Sequence, residues 1–279
     1  MSNLAFIKMH GLGNDFIVLD ARDGGLDLGA EGARVLSDRR RGIGCDQILI
    51  MEAAANEQAD IFMRILNADG TEAEACGNGT RCVAQLVMAE TGRDAVSIET
   101  RAGVLKANIA AGSLVSVDMG PAKLDWQEIP LAREMDTLNL EISAGPLSVP
   151  VGVNIGNPHA VFFVDDAEII PLEDIGPIIE NDPLFPEKTN VEAAQVLDDG
   201  SIRLRVWERG VGITQACGSG ACATLVAASR RGLVGRRATI HLDGGDLDIT
   251  WADDDHVIMT GPVATSFSGV VDLSELVRR

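Results

Sequence analysis

The sequence predicts an α+β fold of two pseudo-symmetric lobes, each a curled, mainly antiparallel sheet wrapped around one central helix. Three observations carry that expectation. The chain holds two copies of one element, Ala75-Cys76-Gly77-Asn78-Gly79 and Ala216-Cys217-Gly218-Ser219-Gly220, each opening directly into an apolar stretch with helical character. The separations around the two copies match: Asn14 to Gln47 and Asn157 to Asn190 are both 33 positions, and Asn67 to Cys76 and Glu208 to Cys217 are both 9. A repeat this long excludes a solenoid of short units. Finally, β-branched and alternating runs outnumber helical ones.

Strands are expected at 16–19, 48–51, 61–66, 96–99, 114–118, 161–164, 202–207, 238–242 and 257–260, where apolar and β-branched residues alternate or cluster. Turn pairs such as Asp69-Gly70, Asp199-Gly200 and Gly244-Gly245 separate them, which favours antiparallel neighbours. Helices are expected at 29–40, 80–90, 172–180 and 221–231. In the two that follow the cysteine elements, apolar residues run nearly all the way round, as suits a helix enclosed by its sheet. The Gly120-Pro121 break divides the chain into an N-terminal lobe, 1–120, with the first cysteine, and a C-terminal lobe, 121–263, with the second. The segment 264–279 is expected to return as a strand to the first lobe.

With 279 residues and 46% hydrophobic content, each lobe can bury a core of its own. A formal charge of −19 argues against a nucleic-acid partner, since phosphate backbones are held by clustered Lys and Arg. A small-molecule substrate is expected instead. No stretch approaches the roughly 20 apolar residues of a membrane helix, and Met1 to Lys8 lacks a secretory pattern, so no membrane partner and a cytoplasmic location are expected. Five cysteines do not make a disulfide framework.

The cysteines therefore read as chemistry. A glycine-rich helix start leaves backbone N–H groups free to hold an anion, and the positive end of the helix favours a thiolate. Two such thiols can serve opposite faces of one substrate carbon, one removing a proton as thiolate and one delivering a proton as thiol. For the thiolate member, the free value of about 8.5 must be lowered. The amides of Gly77, Asn78, Gly218 and Ser219 can hold a substrate carboxylate as charge builds on it. No cofactor and no metal are expected. None of the four lysines, Lys8, Lys106, Lys123 and Lys188, stands in a context that suggests a Schiff base, and Gly11-Leu12-Gly13-Asn14 precedes a strand rather than a nucleotide-binding helix.

His10-Gly11-Leu12-Gly13-Asn14-Asp15-Phe16, Asn67-Ala68-Asp69-Gly70, the two cysteine elements, Gly156-Asn157-Pro158-His159 and Glu208-Arg209-Gly210 together resemble diaminopimelate epimerase. The resemblance covers nearly the whole chain, in the family's motif order in both lobes. It implies a cofactor-independent epimerase that interconverts LL- and meso-diaminopimelate for lysine and peptidoglycan precursor synthesis, and a homodimer. It implies Cys76 and Cys217 as the paired acid and base, with His159 and Glu208 tuning their pKa values. Substrate contacts implied are Asn14, Gln47, Asn67, Asn157, Asn190, Glu208 and Arg209, with the backbone of Gly77, Asn78, Gly218 and Ser219. Ser219 stands where many relatives have Thr, a change that a backbone contact tolerates.

Other residues have plainer readings. Cys82, Cys222 and Cys45 read as packing, His241 and His256 as strand or surface residues, and Asp253-Asp254-Asp255 as a solvated turn. A proline or hydroxyproline racemase shares the two-cysteine logic but would not need Arg209 for a distal carboxylate. Thiol-disulfide exchange lacks a C-x-x-C motif, and a zinc module lacks the usual close ligand pairs.

Overall fold

The 33-residue intervals in the two halves have a structural cause: each spans a crossover between parallel neighbours. In the computed structural model, which describes residues 3–273, the first half runs β1 (Asn3–Gly11), β2 (Asn14–Asp20), α1 (Ala30–Ser37), β3 (Gln47–Glu52), β4 (Ile61–Asn67), β5 (Glu72–Ala73), α2 (Gly77–Thr91), β6 (Ala95–Thr100), β7 (Gly103–Ile109) and β8 (Val115–Pro121). Strands β2 and β3 pair in parallel with Phe16 opposite Gln47, and α1 lies in the connection between them. Parallel strands need a crossover of a dozen or more residues, which this interval supplies.

The second half repeats the plan. After the short hairpin β9 (Ser143–Ala144) and β10 (Leu147–Ser148) come β11 (Val151–Asn154), β12 (Pro158–Phe163), α3 (Leu172–Glu180), β13 (Asn190–Val196), β14 (Ile202–Glu208), β15 (Gly212–Ile213), α4 (Gly218–Arg230), β16 (Arg237–Leu242), β17 (Gly245–Trp251) and β18 (His256–Gly261). Here β12 and β13 pair in parallel with His159 opposite Asn190, and α3 lies between them in the chain. Most ladders are antiparallel, but each half has two parallel ones, β2–β3 with β4–β6, and β12–β13 with β14–β16. Thus the pairs that carry the matched amides run parallel.

Two compact units result, Met1–Val117 with Gly261–Arg279, and Asp118–Thr260. Strand β19 (Ala264–Asp272) pairs antiparallel with β1, from Asn3 opposite Asp272 to His10 opposite Ala264. Of the expected return segment, 274–279 lies outside the described residues.

Each unit is organised around its post-cysteine helix. Helix α2 packs against β1, β2, β3, β6 and β7, burying Cys82, Val83, Ala84, Val87 and Met88, and it ends at Gly92 in the left-handed conformation. Helix α4 packs against β11 to β14, β16 and β17, and every residue from Ala221 to Ala228 is buried. Full enclosure explains the all-round apolar sequence, each large side chain adding about 1.5–3 kcal/mol of burial. Separate apolar clusters complete the cores: Ile17, Leu19, Leu36, Ile48 and Ile50 in the first unit, and Leu140, Phe162, Leu172, Ile179 and Val191 in the second.

Several strands are absent from the sequence reading, among them β1, β7, β13 and β17. Strand β13 reads Asn-Val-Glu-Ala-Ala-Gln-Val, with the weak strand formers Glu and Ala at its centre, and tertiary enclosure between β12 and β14 overrides their preference. The helices start earlier than the hydrophobic pattern indicates, α2 at Gly77 and α4 at Gly218, because the cysteine itself caps each one.

Candidate active site

Both cysteines occupy the N-cap position, where Ser or Asp usually stands. Cys76 Sγ accepts from the Gly79 amide at 3.3 Å, and Cys217 Sγ accepts from the Gly220 amide at 3.4 Å. The first-turn amides of Gly77 and Asn78, and of Gly218 and Ser219, have no carbonyl of their own helix to donate to, so each unit offers an anion cradle beside a sulfur.

Of the amides expected in the first unit, Asn14 stands beside Cys76, and Gln47 and Asn67 bond to each other. Asn14 Oδ1 lies 4.0 Å from Cys76 Sγ and accepts from Asn78 Nδ2 at 3.2 Å. The antiparallel pairing of β3 with β4 sets Gln47 opposite Asn67, and Gln47 Nε2 donates to Asn67 Oδ1 at 2.9 Å. Beside these amides runs an ion network that the sequence reading missed. Asp15 and Asp46 exchange hydrogen bonds with each other's backbone N–H at 3.0 Å, Asn14 Nδ2 donates to Asp46 at 2.9 Å, and Arg39 bridges both carboxylates. Lys8 pairs with Asp15 at 2.5 Å. Burial alone would raise the Asp15 pKa, but hydrogen bonds from Arg39 and Lys8 outweigh it and hold the carboxyl at about 2. The one-residue offsets Asn14-Asp15 and Asp46-Gln47 are the signal that could have found it.

In the second unit, Asn190 Oδ1 accepts from the Arg209 amide at 2.9 Å while its Nδ2 donates to the Pro158 carbonyl at 2.9 Å. The Arg209 guanidinium donates to the Glu187 carbonyl at 2.8 Å. Glu208 accepts from the Thr214 hydroxyl; burial raises its pKa, opposed by hydrogen bonds from Thr214 and Cys217. His159 is fully buried, with Nδ1 2.6 Å from Glu192 Oε1 and Nε2 2.8 Å from Asn157 Oδ1. Glu192 has no counterpart in the sequence reading. Its signal is a carboxylate in an otherwise uncharged strand.

The lowered pKa expected of the thiolate member is not found at Cys217. Burial pushes that thiol well above its ordinary value, and the nearby Glu208 and Glu192 carboxylates add to the rise. Contacts with Ser219 and the Gly220 amide oppose it without prevailing. Cys82 is buried in α2, and burial pushes its thiol up to about 12; Cys45 is buried against Ser37 at 3.3 Å, and Cys222 is buried in α4, so all three are packing residues. His241 and His256 pair with Asp246 and Asp118, at 2.7 and 2.8 Å.

A sequence model of the family described as diaminopimelate epimerase matches residues 6–124 and 151–266. A diaminopimelate epimerase of Rhodospirillum centenum is 59% identical over 97% of this chain and 92% of its own length. Another, of Acidiphilium cryptum, is 55% identical over 97% of both chains. Among solved structures, a probable proline racemase of Agrobacterium radiobacter superposes with a TM-score of 0.69 at 18% identity, covering 97% of this chain and 93% of that one, a likeness of fold.

Proposed function

Because this chain belongs to the diaminopimelate epimerase family, a group of pyridoxal-phosphate-independent isomerases of lysine biosynthesis, we propose that it inverts one α-carbon of diaminopimelate by proton transfer at two cysteines. One sulfur, as thiolate, takes the α-proton; the other, as thiol, delivers its proton to the opposite face. The carbon loses one proton and gains one, and the two sulfurs exchange protonation states, so LL- and meso-diaminopimelate interconvert. Reversal of direction exchanges the roles of Cys76 and Cys217. The first-turn amides of Gly77, Asn78, Gly218 and Ser219 hold the carboxylate on which enediolate charge develops. Asn14, Gln47, Asn67, Asn157 and Asn190 orient the substrate, Glu208 accepts from its ammonium group, and the planar fork of Arg209 suits its distal carboxylate. His159 and Glu208 tune the thiols. A homodimer in the cytoplasm belongs to the same reading.

The observation that carries it is the duplicated N-cap: a sulfur in each unit at the start of an enclosed helix, accepting from the third amide of that helix, with the Asn14 carboxamide beside Cys76 in the first unit. The test is incubation of the purified protein with LL-diaminopimelate in D₂O without added cofactor. Appearance of the meso isomer with deuterium at one α-carbon is expected; inversion without solvent deuterium would exclude proton exchange at these sulfurs.

A further inference from the structure

The two units form an internal control. A Cβ built on Gly79 would meet Leu49 Cδ2 at 3.0 Å and Cys76 Sγ at 3.4 Å; one built on Gly220 would meet Glu192 Oε1 at 3.1 Å and Cys217 Sγ at 3.2 Å. Leu49 lies two residues beyond Gln47 on β3, and Glu192 two beyond Asn190 on β13, so they occupy the same place under their helices. The neighbouring strands correspond too, since Phe16 on β2 stands opposite Gln47 as His159 on β12 stands opposite Asn190. The first unit therefore fills with Leu and Phe the space that the second fills with Glu and His, all four fully buried. Burying a carboxylate costs several kcal/mol unless it is paired, and the sister unit shows that this framework does not require one.

We propose that Glu192 is a positioning residue for the reaction: through His159 it fixes which way the Asn157 amide faces. With Asn157 Oδ1 turned toward the ring, His159 Nε2 carries a hydrogen and donates it across 2.8 Å. The 2.6 Å gap between Nδ1 and Glu192 Oε1 then holds one further proton, on the ring or on the carboxyl. Either placement keeps Nε2 a donor, holds Asn157 Oδ1 as its acceptor, and turns Asn157 Nδ2 away from the ring as a donor. Without a partner at Nδ1, the neutral ring can take its other tautomer and the amide can reverse, offering oxygen where a substrate carboxylate needs N–H. Glu192 Oε2 has no hydrogen-bond partner among the described residues. The titratable groups that face the pair are Cys217 at the α4 cap and Glu208 on β14; β11, beside His159, presents none.

This inference rests on the two-cysteine reading for its catalytic effect but not for its geometry, and the test separates them. Glu192→Leu introduces the residue that the sister unit uses; Glu192→Gln keeps a side chain whose amide can still donate to Nδ1. With melting temperatures checked, Glu192→Leu is expected to lose at least about tenfold in kcat/KM and Glu192→Gln to recover most of it, the pattern of a ring held in one tautomer by its neighbour. Nitrogen-15 spectra of the imidazoles give the second readout: the His159 Nε2–H state persists in the wild type and in Glu192→Gln and is lost in Glu192→Leu. Wild-type kcat/KM in a folded Glu192→Leu variant, or loss of the Nε2–H state in Glu192→Gln, overturns the proposal, and the latter decides it if Glu192→Leu does not fold. Turnover by Cys217→Ala would defeat the two-cysteine reading while leaving the spectra to judge Glu192.

Discussion

Leu49 lies against the Gly79 turn that caps with Cys76; against the Gly220 turn that caps with Cys217 lies Glu192, itself paired with His159. The backbones correspond, down to the sulfur that accepts from the third amide of its helix, yet the electrostatics do not. In the first unit the charge sits beside the amides, in the Lys8, Asp15, Arg39 and Asp46 network. In the second it lies buried close to the thiol, which burial first and the two carboxylates second push up. One frame has thus been filled in two ways, which suits a reaction that needs a thiolate and a thiol at once.

The comparison breaks most simply at the sulfurs. Replacing either Cys76 or Cys217 with Ala should lower inversion by at least about 10³-fold, within the range for loss of a positioned acid or base, while circular dichroism shows the fold intact. A variant with normal turnover would show that the two half-sites do not share one reaction.

Next in size is the ion network of the first unit. Because the Asp15 carboxyl is depressed to about 2, it contributes stability that is present above its unfolded value and lost as pH falls through about 2. Asp15→Asn should therefore cost about 2 kcal/mol at pH 7, and the difference from wild type should shrink below about pH 4. Denaturant unfolding at both pH values checks this; an undiminished difference at low pH would point to packing instead.

A smaller effect sharpens the electrostatics of the second unit. Removing the Glu208 charge as Glu208→Gln should lower the Cys217 pKa, so alkylation of that thiol should begin at lower pH. Peptide mass spectrometry after timed alkylation reads the shift, and an unchanged profile would mean that the Glu208 charge does not help hold the thiol up.

How much of this was legible in the residues depended on whether a feature repeats. The 33- and 9-residue intervals exposed the duplicated lobes because crossover length and turn length are set by geometry that both halves obey. The two central helices were legible from their all-round apolar faces. Strand β13 was not, since Ala193 and Ala194 owe their strand conformation to the neighbours that enclose them. Nor did the residues show the parallel pairing of β2 with β3, because hairpin-like turn signals elsewhere dominate the pattern. Glu192 and the Asp15–Asp46 exchange escaped for a related reason: each works through a partner that is distant in sequence, and each occurs in one half only, where the repeat offers no second copy to compare.

The central claim, that burial and the carboxylates of the second unit hold the Cys217 sulfur as a thiol, is tested most directly by following alkylation of Cys217 in the wild-type protein as a function of pH. The account predicts a midpoint above the ordinary thiol value of about 8.5, in keeping with burial beside two carboxylates. A midpoint at or below that value would contradict it.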